Sequence, residues 1–272
     1  MKTFTKKLLT AALAVVLASC GGNNVQDNPV KPPIAKKSRN RDNLKYMPIT
    51  KLPGRWTVED VLNDYGAYSV KKLKPHFKKA NVPYPPNEVI FIALKEEKKM
   101  ELWAKGDGDF QFIRDYPIQA ASGISGPKLR QGDRQVPEGV YRIVTLNPNS
   151  NFHLSMKINY PNEFDLYHAR DEGRFDPGGD IFIHGRAKSI GCLAMGDEAI
   201  EELFVLAAQV GIENIKVVIA PRDPRVLPLD TDAEYLPPWA GELYDQIANE
   251  IQVLSPPVSM SKNTTDTQAS PQ

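Results

Sequence analysis

The chain has 272 residues, a formal net charge of +1 and 25% charged residues. This balance is typical of a globular chain and lacks the basic surplus that nucleic-acid binding requires, so we expect no nucleic-acid partner. The sequence has no glycine-rich phosphate loop and no dinucleotide fingerprint, which argues against nucleotide chemistry. We expect neither a cofactor nor a metal.

The amino terminus predicts an exported lipoprotein. Lysines precede an apolar run over 8–17, which ends in small residues and Cys20. The run is too short to cross a bilayer roughly 30 Å thick, so it predicts a lipoprotein signal peptide over 1–19. We expect a lipid on Cys20 that anchors the chain to the membrane. Gly21 after the cysteine favours an outer-membrane lipoprotein that faces the periplasm, and an ordinary cleaved signal is the alternative.

Composition divides the chain into six regions. A polar stretch follows the signal, and a strand-rich central part long enough for its own core is flanked by helical and Pro-rich segments. The predicted regions are the signal peptide (1–19), a disordered tether (20–45), a short helical extension (46–86), a central domain (87–221), a carboxy-terminal extension with a docking helix (222–254) and a disordered tail (255–272).

The helical extension is predicted from a capping pattern. Thr57 and Asp60 have the spacing of a capping box, which predicts a short helix over 57–65. A second helical piece is expected at about 70–80.

The central domain has the patterns of strands. Residues 89–94 and 100–104 predict a hairpin around a polar turn, and in 152–158 the alternation places His153 opposite the apolar positions. The remaining strands are predicted at 110–114, 117–121, 140–146, 181–183 and 215–220. The fold class that follows is mainly β with peripheral helices (α+β).

Two further helices are predicted towards the carboxy terminus. Asp197 is expected to cap a helix over 198–210, which Gly211 would end. The last helix carries an apolar stripe that predicts docking on the domain, formed by Trp239, Leu243, Ile247, Ile251 and Leu254.

Two residues of the central domain have the chemistry of a nucleophile and its base. His184 follows the strand predicted at 181–183, and Cys192 comes eight residues later, after Ser189 and Gly191. A nearby imidazole can lower the pKa of a thiol, accept its proton and return that proton to a leaving amine. Gly191 removes side-chain bulk and would free backbone N–H groups for an oxyanion. The spacing alone does not decide between this pair and a buried, inert cysteine.

Longer strings around this pair resemble a known family. They are similar to the bacterial L,D-transpeptidases of the YkuD family, and in particular to its YafK-type branch. The matching strings are IHG at 183–185, SIGCLAM at 189–195, SGISGPKLRQGDRQVPEGVY at 122–141, NPNS at 147–150 and YPN at 160–162. The resemblance implies that residues 87–221 form a YkuD-like L,D-transpeptidase β-sandwich catalytic domain.

The resemblance also implies roles for individual residues. Cys192 matches the nucleophile, His184 the general base, and Gly185 the position whose carbonyl oxygen steadies the imidazole. Ser189 and Gly191 match the turn before the nucleophile.

The implied reaction is acyl transfer on peptidoglycan stem peptides through a thioester on Cys192 at the diamino-acid residue. An amine of another stem would give a cross-link, a lysine of a wall-linked lipoprotein would give an anchor, and water would give hydrolysis. The YafK-type branch is similar to enzymes that release lipoprotein from the wall. The expected partners are therefore stem peptides, a wall-linked lipoprotein, and the membrane through the amino-terminal lipid.

The sequence departs from the common family pattern at three positions. Ile190 stands where most members have a second histidine, and Ala194 and Met195 stand where an arginine is common. The gap from His184 to Cys192 is also shorter than usual. These differences fit the YafK-type branch and leave the acceptor substrate open.

Polar residues upstream of the pair are candidate substrate contacts. Asn162, Asp165, His168 and Arg170 are expected in a loop that borders the cleft and binds substrate carboxylates or amides. Local capping by Asn162 and Asp165 is the alternative. The cations Lys128, Arg130 and Arg134 are expected on the solvated surface, and contact with acidic stem peptides is the alternative.

Two other functions stay open at this point. A zinc hydrolase would need His184, Cys192 and a third ligand, but no ligand spacing typical of catalytic zinc is evident. The candidates for the third ligand are His153, His168 and Asp197. A non-catalytic peptidoglycan-binding lipoprotein would explain the departure at Ile190.

Overall fold

The computed structural model describes residues 55–254. The predicted signal peptide, Cys20, the tether, the start of the helical extension and the tail lie outside these residues. Within the described part, no helix is both long enough and apolar enough to cross a membrane.

The amino-terminal helix α1 spans Val58–Lys79. Its capping box is confirmed, because the Thr57 side chain accepts from the Asp60 N–H and the Asp60 carboxylate accepts from the Thr57 N–H. The prediction of two helical pieces is wrong, since one helix continues through Pro75. A proline removes one helical hydrogen bond, but the helix buries Leu73 and Phe77 on either side of it. Tertiary packing therefore outweighs the local penalty.

Within residues 55–254, nine strands form one mixed sheet in the order β3-β2-β1-β9-β5-β6-β7-β8-β4. Their bounds are β1 Glu88–Leu94, β2 Lys99–Lys105, β3 Gln111–Pro117, β4 Ala120–Ala121, β5 Gly139–Asn147, β6 Ser155–Ile158, β7 Phe182–His184, β8 Leu193–Ala194 and β9 Ile215–Ala220. The pairs β1–β9 and β7–β8 are parallel, and the other pairs are antiparallel.

Strand β5 joins the two halves of this sheet. Its first residues, Gly139 to Arg142, pair with β9, and its later residues from Ile143 pair with β6. The register shifts between Ile143 and Thr145, and such a bulge bends a strand. One long strand thus serves both halves.

Three more α-helices complete the described fold. They are α2 Glu163–Asp171, α3 Asp197–Val210 and α4 Ala240–Gln252, with a short 3₁₀ turn at Ile212–Asn214. The predicted class, mainly β with peripheral helices, is confirmed.

Strand β1 is buried on both faces, which explains its almost continuous apolar sequence. Val89, Phe91 and Ala93 belong to an inner core shared by both halves of the sheet, α1 and α3. The alternate residues of β1 face an outer core beneath α4, which also contains Leu243 and Ile247. The predicted docking of the carboxy-terminal helix is confirmed by this outer core.

Several predicted boundaries are wrong for local reasons. The strand expected at 152–158 begins only at Ser155, because Phe152 lies in a turn and His153 has φ of 77°. Strand β3 continues to Pro117, so the strand expected at 117–121 is reduced to β4. Asp197 does not cap α3, whose N-cap is Gly196 without a side-chain bond.

Candidate active site

His184 and Cys192 are brought together by the parallel pair β7–β8. Ile183 pairs with Leu193, and His184 pairs with Ala194. Ile183 and Leu193 are both 1% exposed and point into the inner core. Side chains alternate between the faces of a sheet, so His184 and Cys192 share the opposite face. Strand spacing and rise place their Cα atoms roughly 8 Å apart.

The His184 imidazole is held in one orientation. Its Nδ1 lies 2.6 Å from the carbonyl oxygen of Gly185, so Nδ1 carries the proton and donates it. This is the contact that the resemblance implies for Gly185. Burial lowers the pKa of His184, and the bond to Gly185 opposes that shift in part. The neutral ring thus leaves Nε2 with a lone pair that can accept a proton.

Gly185 has no room for a side chain. A Cβ there would lie 2.7 Å from the carbonyl oxygen of Phe152, 2.9 Å from Asp197 Oδ1 and 3.0 Å from the Ile200 side chain. The Asp197 carboxylate is already engaged, since it accepts the N–H of Arg186 at 2.8 Å. Close packing therefore fixes the backbone that orients the imidazole.

The turn before Cys192 is tied by two serine hydroxyls. Ser189 Oγ accepts the Cys192 N–H at 2.9 Å and donates to the carbonyl oxygen of Cys192. Ser122 Oγ accepts the Gly191 N–H at 2.6 Å. Gly191 has φ of 98°, a conformation that favours glycine. The expectation that this turn leaves its N–H groups free for an oxyanion is wrong in the resting state, because both are occupied.

The Cys192 thiol is neutral in this environment. Burial raises the pKa of the thiol most, and the nearby Asp180 carboxylate raises it further. A hydrogen bond from the Phe182 N–H and the charge of the Lys128 ammonium lower it in part. Sγ also lies 3.8 Å from the Asp180 carbonyl oxygen. Burial therefore acts against the lowering of the thiol pKa that is expected from His184, and that expectation stays a prediction. The directions of the two pKa shifts favour a neutral thiol and a neutral imidazole in the free protein.

Phe152 is a site residue that sequence reasoning missed. Its ring centroid lies 4.6 Å from that of His184, although 42% of Phe152 is exposed. The neighbouring His153 anchors this turn through a 2.9 Å contact between its Nε2 and the Glu201 carboxylate. The available sequence signal was an aromatic residue at the start of the strand predicted at 152–158, three residues before β6 begins.

Lys128 also differs from its expectation as a solvated cation. It is 6% exposed, and its ammonium donates to Asp133 Oδ1 and, at 2.7 Å, to the carbonyl oxygen of Arg130. Its charge reaches the thiol, as the pKa of Cys192 shows. Lys128 is thus part of the electrostatic surroundings of the nucleophile.

The segment expected as a cleft loop is the helix α2. Asn162 is its N-cap and Asp165 returns the bond, so these two form a reciprocal capping box. The alternative of local capping is therefore correct for this pair. Burial raises the pKa of Asp165 to about 6. His168 is buried and stacks on Trp239 with centroids 4.5 Å apart, while Arg170 is exposed.

The candidate third zinc ligands have other partners. His153 contacts Glu201, His168 stacks on Trp239, and Asp197 accepts from the Arg186 N–H. Within residues 55–254, no group of three or more His, Cys, Asp or Glu side chains is arranged to hold a metal ion.

The departures from the family pattern have clear places in the structure. Ile190 is 76% exposed at the turn, whereas Ala194 and Met195 are buried in or beside β8. An arginine side chain would have to replace buried apolar groups at either of these two positions. Lys128, from another segment, is a cation whose charge acts on Cys192 instead.

Residues 87–219 match the sequence profile of the L,D-transpeptidase catalytic domain, YkuD. The match contains the whole site, from Ser122 to Cys192. The chain therefore resembles this family over one continuous segment, and not only in short motifs. The recognition of the family from its motifs is confirmed.

Relatives of the chain support this assignment over part of its length. YafK proteins of Escherichia coli K12 and O157:H7, named as candidate L,D-transpeptidases, are each 38% identical over 138 residues, which cover 48% of this chain and 54% of the relative. The chain therefore spans about half the length of the curated relatives it matches.

Solved structures resemble the fold more distantly. The helical cell shape determining protein Pgp2 of Campylobacter jejuni has 23% identity and a TM-score of 0.42, with 50% of this chain and 49% of that chain covered. L,D-transpeptidase 1 of Mycobacterium tuberculosis has 11% identity and a TM-score of 0.29, with 49% and 62% covered.

Proposed function

We propose that this protein is a cysteine acyl-transfer enzyme that acts on peptidoglycan stem peptides through a thioester on Cys192. The single observation that carries the proposal is the shared face of β7 and β8, which presents a neutral imidazole with a free Nε2 lone pair beside a neutral thiol. The catalytic-domain match supports peptidoglycan stem peptides as the substrate class.

The first half-reaction transfers one proton and exchanges one bond. His184 Nε2 takes the proton of the Cys192 thiol as Sγ attacks the carbonyl carbon of the diamino-acid residue. A C–S bond forms, and collapse of the tetrahedral intermediate breaks the C–N bond to the leaving amine. The imidazolium returns its proton to that amine, which leaves a thioester and a neutral histidine.

Neutral resting groups suit this sequence. A thiol with a raised pKa carries little thiolate in the free enzyme, so it reacts slowly with oxidants and other adventitious electrophiles. The proton moves only when a bound carbonyl group makes the attack productive. The Lys128 ammonium favours the negative charge that develops near Sγ.

The second half-reaction decides the product. An amine of another stem peptide gives a cross-link, a lysine of a wall-linked lipoprotein gives an anchor, and water gives hydrolysis. The similarity to YafK proteins is the reason to include release of wall-linked lipoprotein among the proposed reactions. The exposed Ile190 beside Cys192 makes one edge of the acceptor approach apolar.

The proposed location is the periplasmic face of the outer membrane. The amino-terminal pattern and Cys20 support a lipid anchor there. Peptidoglycan lies in the same compartment, so the anchor would keep the enzyme near its substrate.

Intact-protein mass spectrometry with purified muropeptides tests the proposal. We expect a covalent adduct on the wild-type chain at the mass of the acyl donor, and none on Cys192→Ala. Masses of released muropeptides, with and without an amine acceptor or a lipoprotein-linked muropeptide, identify the second substrate. Unmodified protein and unchanged muropeptides would instead favour a non-catalytic peptidoglycan-binding lipoprotein.

A further inference from the structure

The helix α4 lies outside residues 87–219, the part that matches the catalytic domain. One of its side chains nevertheless enters the interior beside the site-bearing loop. Tyr244 is 3% exposed, and its hydroxyl donates to Glu138 Oε2 at 2.8 Å. This contact joins the carboxy-terminal extension to the catalytic domain by a directed polar bond as well as by apolar packing.

Glu138 is the centre of a buried polar network. It is fully buried, and its other oxygen, Oε1, accepts from Lys95 Nζ at 2.9 Å and from the Gly126 N–H at 2.8 Å. Three groups from three different segments thus converge on one carboxylate. Buried charges that are fully hydrogen-bonded define one arrangement of the groups around them.

Lys95 extends the network along the loop formed by residues 122–138. Its ammonium also donates to the carbonyl oxygens of Ile124 at 2.7 Å and Val136 at 3.2 Å. The two arms of the loop are therefore held to the end of β1 at one point. Gln135 reinforces this, because its amide bonds to both the N–H and the carbonyl oxygen of Ile124.

Ser122, the first residue of the 122–138 loop, contacts the turn before Cys192. The Val136 N–H donates to the Ser122 carbonyl oxygen at 3.2 Å, and Ser122 Oγ accepts the Gly191 N–H at 2.6 Å. A continuous path of hydrogen bonds and backbone therefore runs from α4 through Glu138 and Lys95 to the residue before Cys192.

We propose that Tyr244 of α4 is a positioning residue, which fixes the 122–138 loop and through Ser122 holds the Cys192 turn in its reactive geometry. The carboxy-terminal extension is then a working part of the enzyme. The proposal rests on the proposed function of Cys192 as the nucleophile. Tyr244 touches no reacting atom and acts through its neighbours.

Tyr244→Phe is the test variant, because it removes one hydroxyl and keeps the ring in the outer core. Loss of Lys95 or Glu138 would leave the other charge buried and unpaired, which endangers folding. The matched control is Glu250→Gln, at another position of α4. It removes the 2.7 Å ion pair between Glu250 and Lys216 of β9. All variants are made in the full chain with Cys20→Ala, so that Cys192 is the remaining thiol of the two in the sequence.

The first measurement is the rate constant for alkylation of Cys192 by iodoacetamide. We expect Tyr244→Phe and Ser122→Ala each to raise this rate constant about threefold, because each loosens the turn. The double variant should react no faster than either single variant, because the effects of coupled sites are not additive. Glu250→Gln should react at the wild-type rate. A wild-type rate in Tyr244→Phe, or a ninefold effect in the double variant, would overturn the proposal.

The second measurement separates this proposal from the proposed function. With a muropeptide donor, Tyr244→Phe should lower kcat for thioester formation and leave KM unchanged, since the turn and not the binding surface is altered. If the wild-type chain forms no thioester, the proposed function fails, while the alkylation rates still decide whether α4 controls the turn.

Discussion

Two polar regions of this chain are candidate sites by sequence, and the structure gives them opposite properties. The β7–β8 face holds His184 and Cys192, and His184 Nε2 has no hydrogen-bond partner among residues 55–254. In the helix α2, Asn162 and Asp165 satisfy each other's backbone N–H groups. Reactive groups stay open towards a partner that is absent at rest, whereas structural polar groups complete their bonds within the chain.

Burial has different consequences in the two regions. It raises the pKa of the Cys192 thiol and lowers that of His184, so both shifts favour the neutral form of the group. It also raises the pKa of Asp165, to about 6, but that carboxyl lies against Tyr141 and the helix N-cap. A shifted pKa indicates function only where a lone pair or proton remains available.

The largest effect that tests this comparison is expected from Cys192→Ala. Loss of the thiol should abolish the thioester and reduce turnover of the muropeptide donor by roughly 10³-fold or more, because no other nucleophile occupies that position. The measurement is the adduct mass together with circular dichroism, which should show an unchanged fold. Turnover close to wild type in Cys192→Ala would show that Cys192 is not the nucleophile.

His184→Ala should have the next largest effect and should change the pH profile. The wild-type rate should rise with pH as His184 becomes neutral, and because burial lowers its pKa, this limb should lie below about pH 6.5. The variant should lose roughly 10²- to 10⁴-fold in rate and also lose that limb. Single-turnover thioester formation between pH 4.5 and 8 measures both. An identical acidic limb in the variant would assign the titration to another group.

Gly185→Ala should disturb the imidazole without removing it. The added Cβ would meet the Phe152 carbonyl oxygen at 2.7 Å, so the backbone must shift. Because a displacement of 1 Å at a catalytic group can cost about 10²-fold, we expect a loss of that order in kcat. Overpacking should also lower the free energy of unfolding by about 1–3 kcal/mol.

Gly108→Ala is the control for this prediction. A Cβ at Gly108 meets nothing within 4 Å, and this glycine lies between β2 and β3, outside the site. Wild-type kcat in both glycine variants would show that the fit around Gly185 does not control the base.

Phe152→Ala should reduce activity by about 10-fold, less than changes at the reacting groups. The ring restrains the His184 imidazole from one side, and its exposed part is available to a substrate. The control is Phe175→Ala, which removes a ring that is 98% exposed. Equal kinetics in the two variants would mean that contact with His184 has no effect.

The sequence predicts the pair but only part of its surroundings. Alternation and the family strings identify His184, Cys192 and the core strands, because both are properties of contiguous residues. Ser122 and Lys128 approach the thiol from a loop more than 60 residues away along the chain, and only the folded register shows that proximity. The N–H of Cys192 was expected to be free for the same reason, since its partner depends on the exact turn.

The helical regions show the same limit. Pro75 predicts a break, but packing of α1 against the inner core carries the helix through it. The polar run from Asn162 predicts a binding loop as readily as a capped helix, because both use the same side chains. Tertiary contacts decide between these alternatives, and a local sequence pattern does not reveal those contacts.

The smallest effect on activity is expected from Asp165→Asn. If Asp165 is structural, as its capping bonds indicate, kcat and KM with the muropeptide donor should stay within about twofold of wild type. A large rise in KM would restore Asp165 as a substrate contact.

The free energy of unfolding should change with pH at Asp165. The folded-state pKa of about 6 is above the unfolded value of about 3.9, so the fold favours the protonated carboxyl. That contribution is complete below about pH 3.9 and is lost as pH rises through about 6. Denaturant titrations between pH 3.5 and 7.5 should show this loss in wild type and in the exposed control Asp171→Asn, and its absence in Asp165→Asn.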